Sequence, residues 1–164
     1  MAGTALADAI DYLVTLFTNA VNNLDQGSGP AQVYDGYPGT DRTADFIVVG
    51  TGSDADASTA AQRGYVELGG TNAPGSLGEE FVVVNYVQAF RRNVDYAQSE
   101  ARRAAVALYA LCETALRNDP TLGGLTTPFP AEISTQNLKQ TTPETANEGR
   151  WALIEFGVLI KHRY

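Results

Sequence analysis

The stretch "EEFVVVNYVQAFRR", residues Glu79–Arg92, carries the strongest strand signal in the chain. One face of such a strand would hold Phe81, Val83 and Val87. The other face would hold a second apolar set, Val82, Val84, Tyr86 and Phe90. A strand that is apolar on both faces is typical of the interior of a sheet. We therefore predict that this strand is central in its sheet and covered on both sides.

Two helices are predicted around this strand. Between Thr4 and Leu24, apolar residues recur at spacings of three and four, which indicates an amphipathic helix. A longer helix is predicted from about Asp95 to Arg117, with Pro120 blocking its continuation.

Further strands are predicted in "AQVYDGY", "ADFIVVG", "GYVELGG" and, more weakly, "AEISTQNLKQ". The terminal stretch "WALIEFGVLIKHRY" alternates at period two and is predicted to be a long strand. Strands and helices are segregated along the chain. This order favours an α+β fold, with a mostly antiparallel β-sheet, an N-terminal amphipathic helix and one long helix packed on the sheet.

The length and charge of the chain limit its classes of partner. Its 164 residues are enough for one domain with a core, and we predict a single domain over residues 1–164. The net charge of −8 argues against DNA or an anionic membrane as the main attractive partner. One cysteine, Cys112, cannot form an internal disulfide and is predicted to be a buried structural thiol.

The long helix carries two uncharged stripes. Nine consecutive residues, Ala104–Cys112, lack charge. The first stripe contains Ala101, Ala105, Leu108 and Cys112, and the second contains small residues, including Ala107 and Ala110. A helix that is apolar most of the way round is covered on more than one side, and in a chain this short the second cover could be another subunit.

Four of the eleven basic residues, Arg91, Arg92, Arg102 and Arg103, fall around the predicted strand-to-helix corner. Three interpretations stay open: a solvated corner, pairing with acidic groups of a neighbouring subunit, and nucleic-acid binding, which would lack an aromatic platform here.

A glycine turn, Gly50–Ala55, follows a predicted strand and matches the dinucleotide-binding pattern G-x-G-x-x-A. A small nucleotide-binding enzyme that uses the Gly50–Gly52 turn is therefore one alternative. The segment after the turn offers only alanines for packing on a sheet, and Asp54 and Asp56 would lie near a pyrophosphate. We predict instead a mobile loop at about residues 52–62 that faces a partner.

Other chemistry-bearing residues have ordinary interpretations. His162, the only histidine, is predicted to be exposed at a strand end, so that a His–Asp–Ser triad is not expected. Glu79 and Glu80 are predicted to form a charged strand edge. We predict no catalytic residue, metal ligand or cofactor site.

The layout as a whole resembles the tail terminator proteins of long-tailed (siphovirus-type) bacteriophages. An amphipathic helix is followed by a strand-rich section with a long loop, a two-faced central strand and a long alanine-rich helix. The resemblance covers nearly the whole chain and is most specific in "ALRNDPTLGG", Ala115–Gly124, and in the terminal strand, Trp151–Tyr164.

This resemblance implies an α+β fold that assembles as a homohexameric ring in the virion, at the head-proximal end of the tail. Such a ring caps the tail tube protein, stops its polymerisation and presents a surface to a neck or head-completion protein. A neck or head-completion ring protein is itself an alternative identity. No catalysis and no cofactor are implied. Six copies at −8 each carry −48, so DNA would pass through without specific binding.

From the residues themselves, the predicted subunit or partner interface includes Asp54, Asp56, Arg91, Arg92, Arg102, Arg103, Ala107 and Ala110.

Overall fold

The computed structural model describes residues 5–24, 31–39, 44–53, 61–67, 77–92, 96–126, 128–140 and 149–163, with the backbone alone over 61–67 and at 77, 135 and 163. Most of the predicted mobile loop, including Asp54 and Asp56, lies outside the described residues.

Two helices and six strands make up the described part of the chain. The helices are α1 (Leu6–Asn22) and α2 (Ala97–Asn118). The strands are β1 (Gln32–Asp35), β2 (Phe46–Val49), β3 (Ala61–Glu67), β4 (Leu77–Arg91), β5 (Glu132–Gln140) and β6 (Arg150–Arg163). Each predicted helix and strand is therefore present, with small shifts at the ends. The structure begins β3 at Ala61, inside the range predicted for the loop, and begins α2 after Tyr96.

The strands form one sheet in the order β1-β2-β4-β6-β5, with β3 paired to the first half of β4. The β1–β2 pair is parallel, and every other pair in the described sheet is antiparallel. This architecture confirms the predicted α+β class with a mostly antiparallel sheet.

Strand β4 is central, as its sequence predicts. Along one side it pairs with β3 through Leu77–Val83 and with β2 through Asn85–Gln88. Along the other side it pairs with β6 from Gly78 to Arg91. A strand bonded on both sides has its backbone polar groups satisfied within the sheet, which suits its apolar composition.

Both helices cover the same face of the sheet. Helix α1 contacts β1 and β2, α2 contacts β4, β6 and β5, and the two helices contact each other. The core between helices and sheet contains alternate residues of the long strands, with Phe81, Val83 and Val87 from β4 and Phe156 from β6 all fully buried. The N-terminal helix contributes its own stripe, Ala9, Leu13, Phe17 and Val21.

The second face of the sheet is covered only in part, so the prediction of cover on both sides was too broad. A smaller buried cluster there contains Phe46, Val48, Tyr86 and Leu153. Toward the start of β4, however, Val82 and Val84 are only half-buried, and they line an open groove beside β5. Among the described elements, neither helix contacts this face.

Candidate subunit interface

Helix α2 is two-sided. Its inner face, which packs on β4 and β6, contains seven buried residues, Ala97, Ala101, Ala105, Leu108, Cys112, Ala115 and Leu116. The predicted first stripe lies within this set. Burial strongly raises the pKa of the Cys112 thiol, because the thiolate would lose its hydration. The prediction of a buried structural thiol is therefore confirmed.

The predicted second stripe of α2 lies on the surface of the single chain. Ala107 and Ala110 are both exposed, and Val106 beside them is 47% exposed. Long charged or polar side chains are the usual residues on the outer face of a surface helix. Three uncharged side chains on that face leave a shallow strip on which another protein surface can lie close to the helix.

The four predicted arginines have different environments. Arg91, at the end of β4, donates from Nη1 to both carboxylate oxygens of Asp45, at 2.8 and 3.1 Å. Its acidic partner thus lies within the chain. Arg92, Arg102 and Arg103 are exposed. Within the part of the chain that the structure describes, no ion pair involves Arg102 or Arg103. Both arginines precede the small residues Ala107 and Ala110 along α2.

Helix α1 has an exposed face of opposite character. Asp8 and Asp11 are both exposed, and the helix contains no lysine or arginine between Leu6 and Asn22. Further along the same face, Thr15 and Asn19 are exposed and small. The outer surface of α1 is therefore acidic and polar, without large side chains.

A buried carboxylate fixes the start of α1. Glu79 is fully buried, and its Oε2 accepts a hydrogen bond from the backbone N–H of Ala5 at 3.1 Å. A carboxylate at this position satisfies a free N–H and also lies favourably at the positive end of the helix dipole. The prediction that Glu79 belongs to a charged edge was wrong, because the helix covers it. Glu80 is half-exposed and pairs with Lys161 at 3.5 Å.

A second contact holds α1 against the loop after α2. The Tyr12 hydroxyl donates to Asp119 Oδ2, and both Asp119 carboxylate oxygens accept from the Gly123 N–H at 3.1 Å. The hydrogen bond from Tyr12, followed by that from Gly123, lowers the pKa of Asp119. The same bond raises the pKa of Tyr12. Asp119 and Gly123 both belong to the "ALRNDPTLGG" segment, which therefore has a structural role in positioning α1.

Among the described residues, no helix follows the glycine turn to complete the strand–turn–helix unit that binds a dinucleotide. Gly50 has a φ of +77°, and its N–H donates to the buried Asn85 side chain at 3.3 Å. The next element in the described chain is β3, an antiparallel strand. A dinucleotide site of this type needs a helix whose N-terminus points at the pyrophosphate. The described residues do not supply that helix.

Ser53, at the end of this turn, is anchored to the second face of the sheet. Its N–H and its hydroxyl both donate to Glu155 Oε2, at 2.9 and 2.8 Å, and Lys139 Nζ donates to the hydroxyl at 2.8 Å. Burial alone would raise the pKa of Glu155, but the two Ser53 hydrogen bonds and the Lys139 charge together lower it. A carboxylate with a lowered pKa is a poor acceptor for a nucleophile's proton. The cluster is better suited to anchoring the turn than to activating Ser53.

Residues near this anchor line a small cavity of about 120 Å³, among them Tyr37, Tyr86 and Trp151.

His162 is half-buried, and its Nδ1 donates to the Leu125 carbonyl at 2.7 Å, so the prediction of an exposed strand-end histidine was wrong. Among the described residues, no group of three metal-ligating side chains is found. No described helix has the length and hydropathy needed to cross a membrane.

The Ser53 anchor and the buried Glu79 were missed from the sequence. The partners of Ser53, Glu155 and Lys139, lie 102 and 86 residues from it along the chain. The partner of Glu79, Ala5, lies 74 residues away. The register of β5 on β6 and the position of α1 determine both contacts, and neither leaves a local pattern.

Comparison with protein-family models finds no family that matches this chain, and comparison with curated proteins finds no significant relative.

Proposed function

We propose that this chain is a structural subunit of a six-membered ring that caps the tail tube of a long-tailed bacteriophage. The ring terminates polymerisation of the tube and offers a joining surface to the neck or head. The outer face of α2 carries this proposal. Ala107, Ala110 and the 47% exposed Val106 form an uncharged strip on a helix whose other face is already buried. A ring subunit needs a surface of this kind for its neighbour.

Two further observations support the proposal. The α+β fold is the one that the resemblance to tail terminators implies. One of the two segments in which that resemblance is most specific, Ala115–Gly124, holds α1 in place through Asp119. The net charge of −8 suits a channel through which DNA slides, because an acidic lumen repels phosphates.

The experiment replaces Ala107 or Ala110 with glutamate. Both positions are exposed, so each variant should fold with stability within about 0.5 kcal/mol of the wild type, as is usual for surface substitutions. At an interface, however, the new carboxylate would be desolvated, at a cost of up to several kcal/mol, and a glutamate at 110 has no arginine one turn away to offset that cost. We expect folded variants that fail to form rings, measured by size exclusion with circular dichroism.

Ala107→Ser is the matched control, because it keeps the side chain small and uncharged, and it should assemble normally. In infected cells, Ala107→Glu should give overlong tails. Tails of normal length that fail to join heads would instead favour a neck or head-completion ring. Normal ring assembly by both glutamate variants would contradict the interface.

A further inference from the structure

The two helices lie on one face of the sheet and present outer surfaces of opposite charge. Helix α1 lies over β1 and β2, at one end of the sheet, whereas α2 lies over β4, β6 and β5. The exposed face of α1 carries Asp8 and Asp11 without a basic residue. Exposed Arg102 and Arg103 lie on α2. One chain therefore holds both halves of a complementary pair on separate surfaces.

We propose that the outer face of α2 binds the outer face of α1 from a second copy of this chain, with Arg102 and Arg103 opposite that copy's Asp8 and Asp11. This inference rests on the proposed ring and names the neighbour's surface within it. When a copy uses its α2 toward one neighbour and its α1 toward another, the contacts are heterologous and form a closed ring if the rotation between copies allows it.

The positions of the small residues on the two helices are consistent with the same pairing as the charges. Ala107 and Ala110 follow the two arginines by one to two turns along α2, and Thr15 and Asn19 follow the two aspartates by a similar distance along α1. If the two helices run parallel and their charged ends meet, the small ends meet as well. Short side chains on both helices allow their axes to approach closely.

The same charges disfavour two symmetric alternatives. A two-fold contact between two α2 faces would bring four arginines together, and one between two α1 faces would bring four aspartates together. Like charges in an interface reduce affinity for the wrong partner. The pattern thus disfavours dimers in which like helices face each other.

Charge reversal tests this pairing. One variant carries Arg102→Glu and Arg103→Glu, and a second carries Asp8→Lys and Asp11→Lys. All four positions are exposed, so both variants should fold. Each alone would set like charges against each other, and we expect self-association at least about tenfold weaker than wild type in sedimentation velocity.

An equimolar mixture of the two variants should restore assembly. The acidic α2 of the first variant would then meet the basic α1 of the second, and the basic α2 of the second would meet the acidic α1 of the first. An even-numbered ring closes with the variants alternating in a one-to-one ratio, which native mass spectrometry measures. A single chain with all four substitutions keeps the net charge at −8 and should also assemble alone, so it serves as the charge-matched control.

The outcomes separate this inference from the proposed function. A wild-type chain that forms no ring, free or on tail tubes, overturns both. Two results overturn the pairing but not the ring. In both, the wild type forms a ring; in the first, the mixture of variants does not regain assembly, and in the second, the Asp8→Lys, Asp11→Lys variant assembles as well as the wild type. Restored alternating rings support the pairing.

Discussion

Replacing Gly123 with alanine tests how firmly the loop after α2 holds the N-terminal helix. Gly123 has a φ of +65°, a conformation that costs an L-residue about 1–2 kcal/mol. A methyl group on its Cα would also lie 2.8 Å from Tyr12 Cε2 and 3.0 Å from the Tyr12 hydroxyl oxygen. The tyrosine ring must move, and this motion disturbs its hydrogen bond to Asp119.

A hydrogen bond to a charged group contributes about 1.5–3 kcal/mol. If that bond is lost, Gly123→Ala should lower the free energy of unfolding by about 2.5–5 kcal/mol in total. Gly36→Ala is the matched control, because Gly36 has a φ of +78° but nothing within 4 Å of the added methyl group. Gly36→Ala should lower the free energy of unfolding only by the cost of the positive φ, about 1–2 kcal/mol.

Urea denaturation followed by circular dichroism measures both variants, and the fluorescence of the one tryptophan, Trp151, gives an independent probe. The Tyr12→Phe background completes a double-mutant cycle. Without its hydroxyl the ring can turn away at little cost, so the penalty of Gly123→Ala should fall toward that of Gly36→Ala. Equal destabilisation by the two glycine variants in the wild-type background would refute the steric argument.

Two further predictions concern titratable groups. The folded-state pKa of Asp119 is below its ordinary value of 3.8, so its stabilising contribution is complete above that value and is lost as pH falls through the folded pKa. The excess stability of the wild type over Asp119→Asn, measured by thermal unfolding, should be constant near neutral pH and shrink below about pH 4, whereas a constant difference down to pH 2.5 would contradict this linkage. Cys112 is fully buried with a raised pKa, so iodoacetamide should modify it only as the chain unfolds in urea, and rapid modification of the native protein would show that α2 is not packed as described.

Elements with a strong internal period could be predicted from the sequence. Strand β6 alternates over many residues, β4 contains a continuous apolar run rich in valine, and α1 repeats at three and four, so their types follow from which positions are apolar. Ala107 and Ala110 were singled out because they lie away from the first stripe, and they are exposed as a second surface must be in an isolated chain.

Features set by tertiary position could not be predicted. Glu79 stands between Gly78 and Glu80 at the start of a strand, as an edge residue would, and only the docking of α1 buries it against Ala5. Val82 and Val84 are incompletely covered because the helices pack on the other face of the sheet. A strand that is apolar on both faces does not indicate which face the helices cover. The second surface in the proposed contact, that of Asp8 and Asp11, has no motif and is defined only by its position on α1.

The distribution of charge over the helices bears on how a chain of net charge −8 could assemble with itself. Repulsion between whole subunits acts mainly over distances beyond about 8 Å, where physiological salt screens it. Charges that meet at a contact lie closer than this distance and are screened less. Helix α2 contains three arginines and two glutamates. One of the glutamates, Glu113, is already paired with Arg117 at 2.7 Å. Arg102 and Arg103 are therefore available to attract the acidic face of α1 on a neighbour at short range, even though the two subunits repel each other at long range.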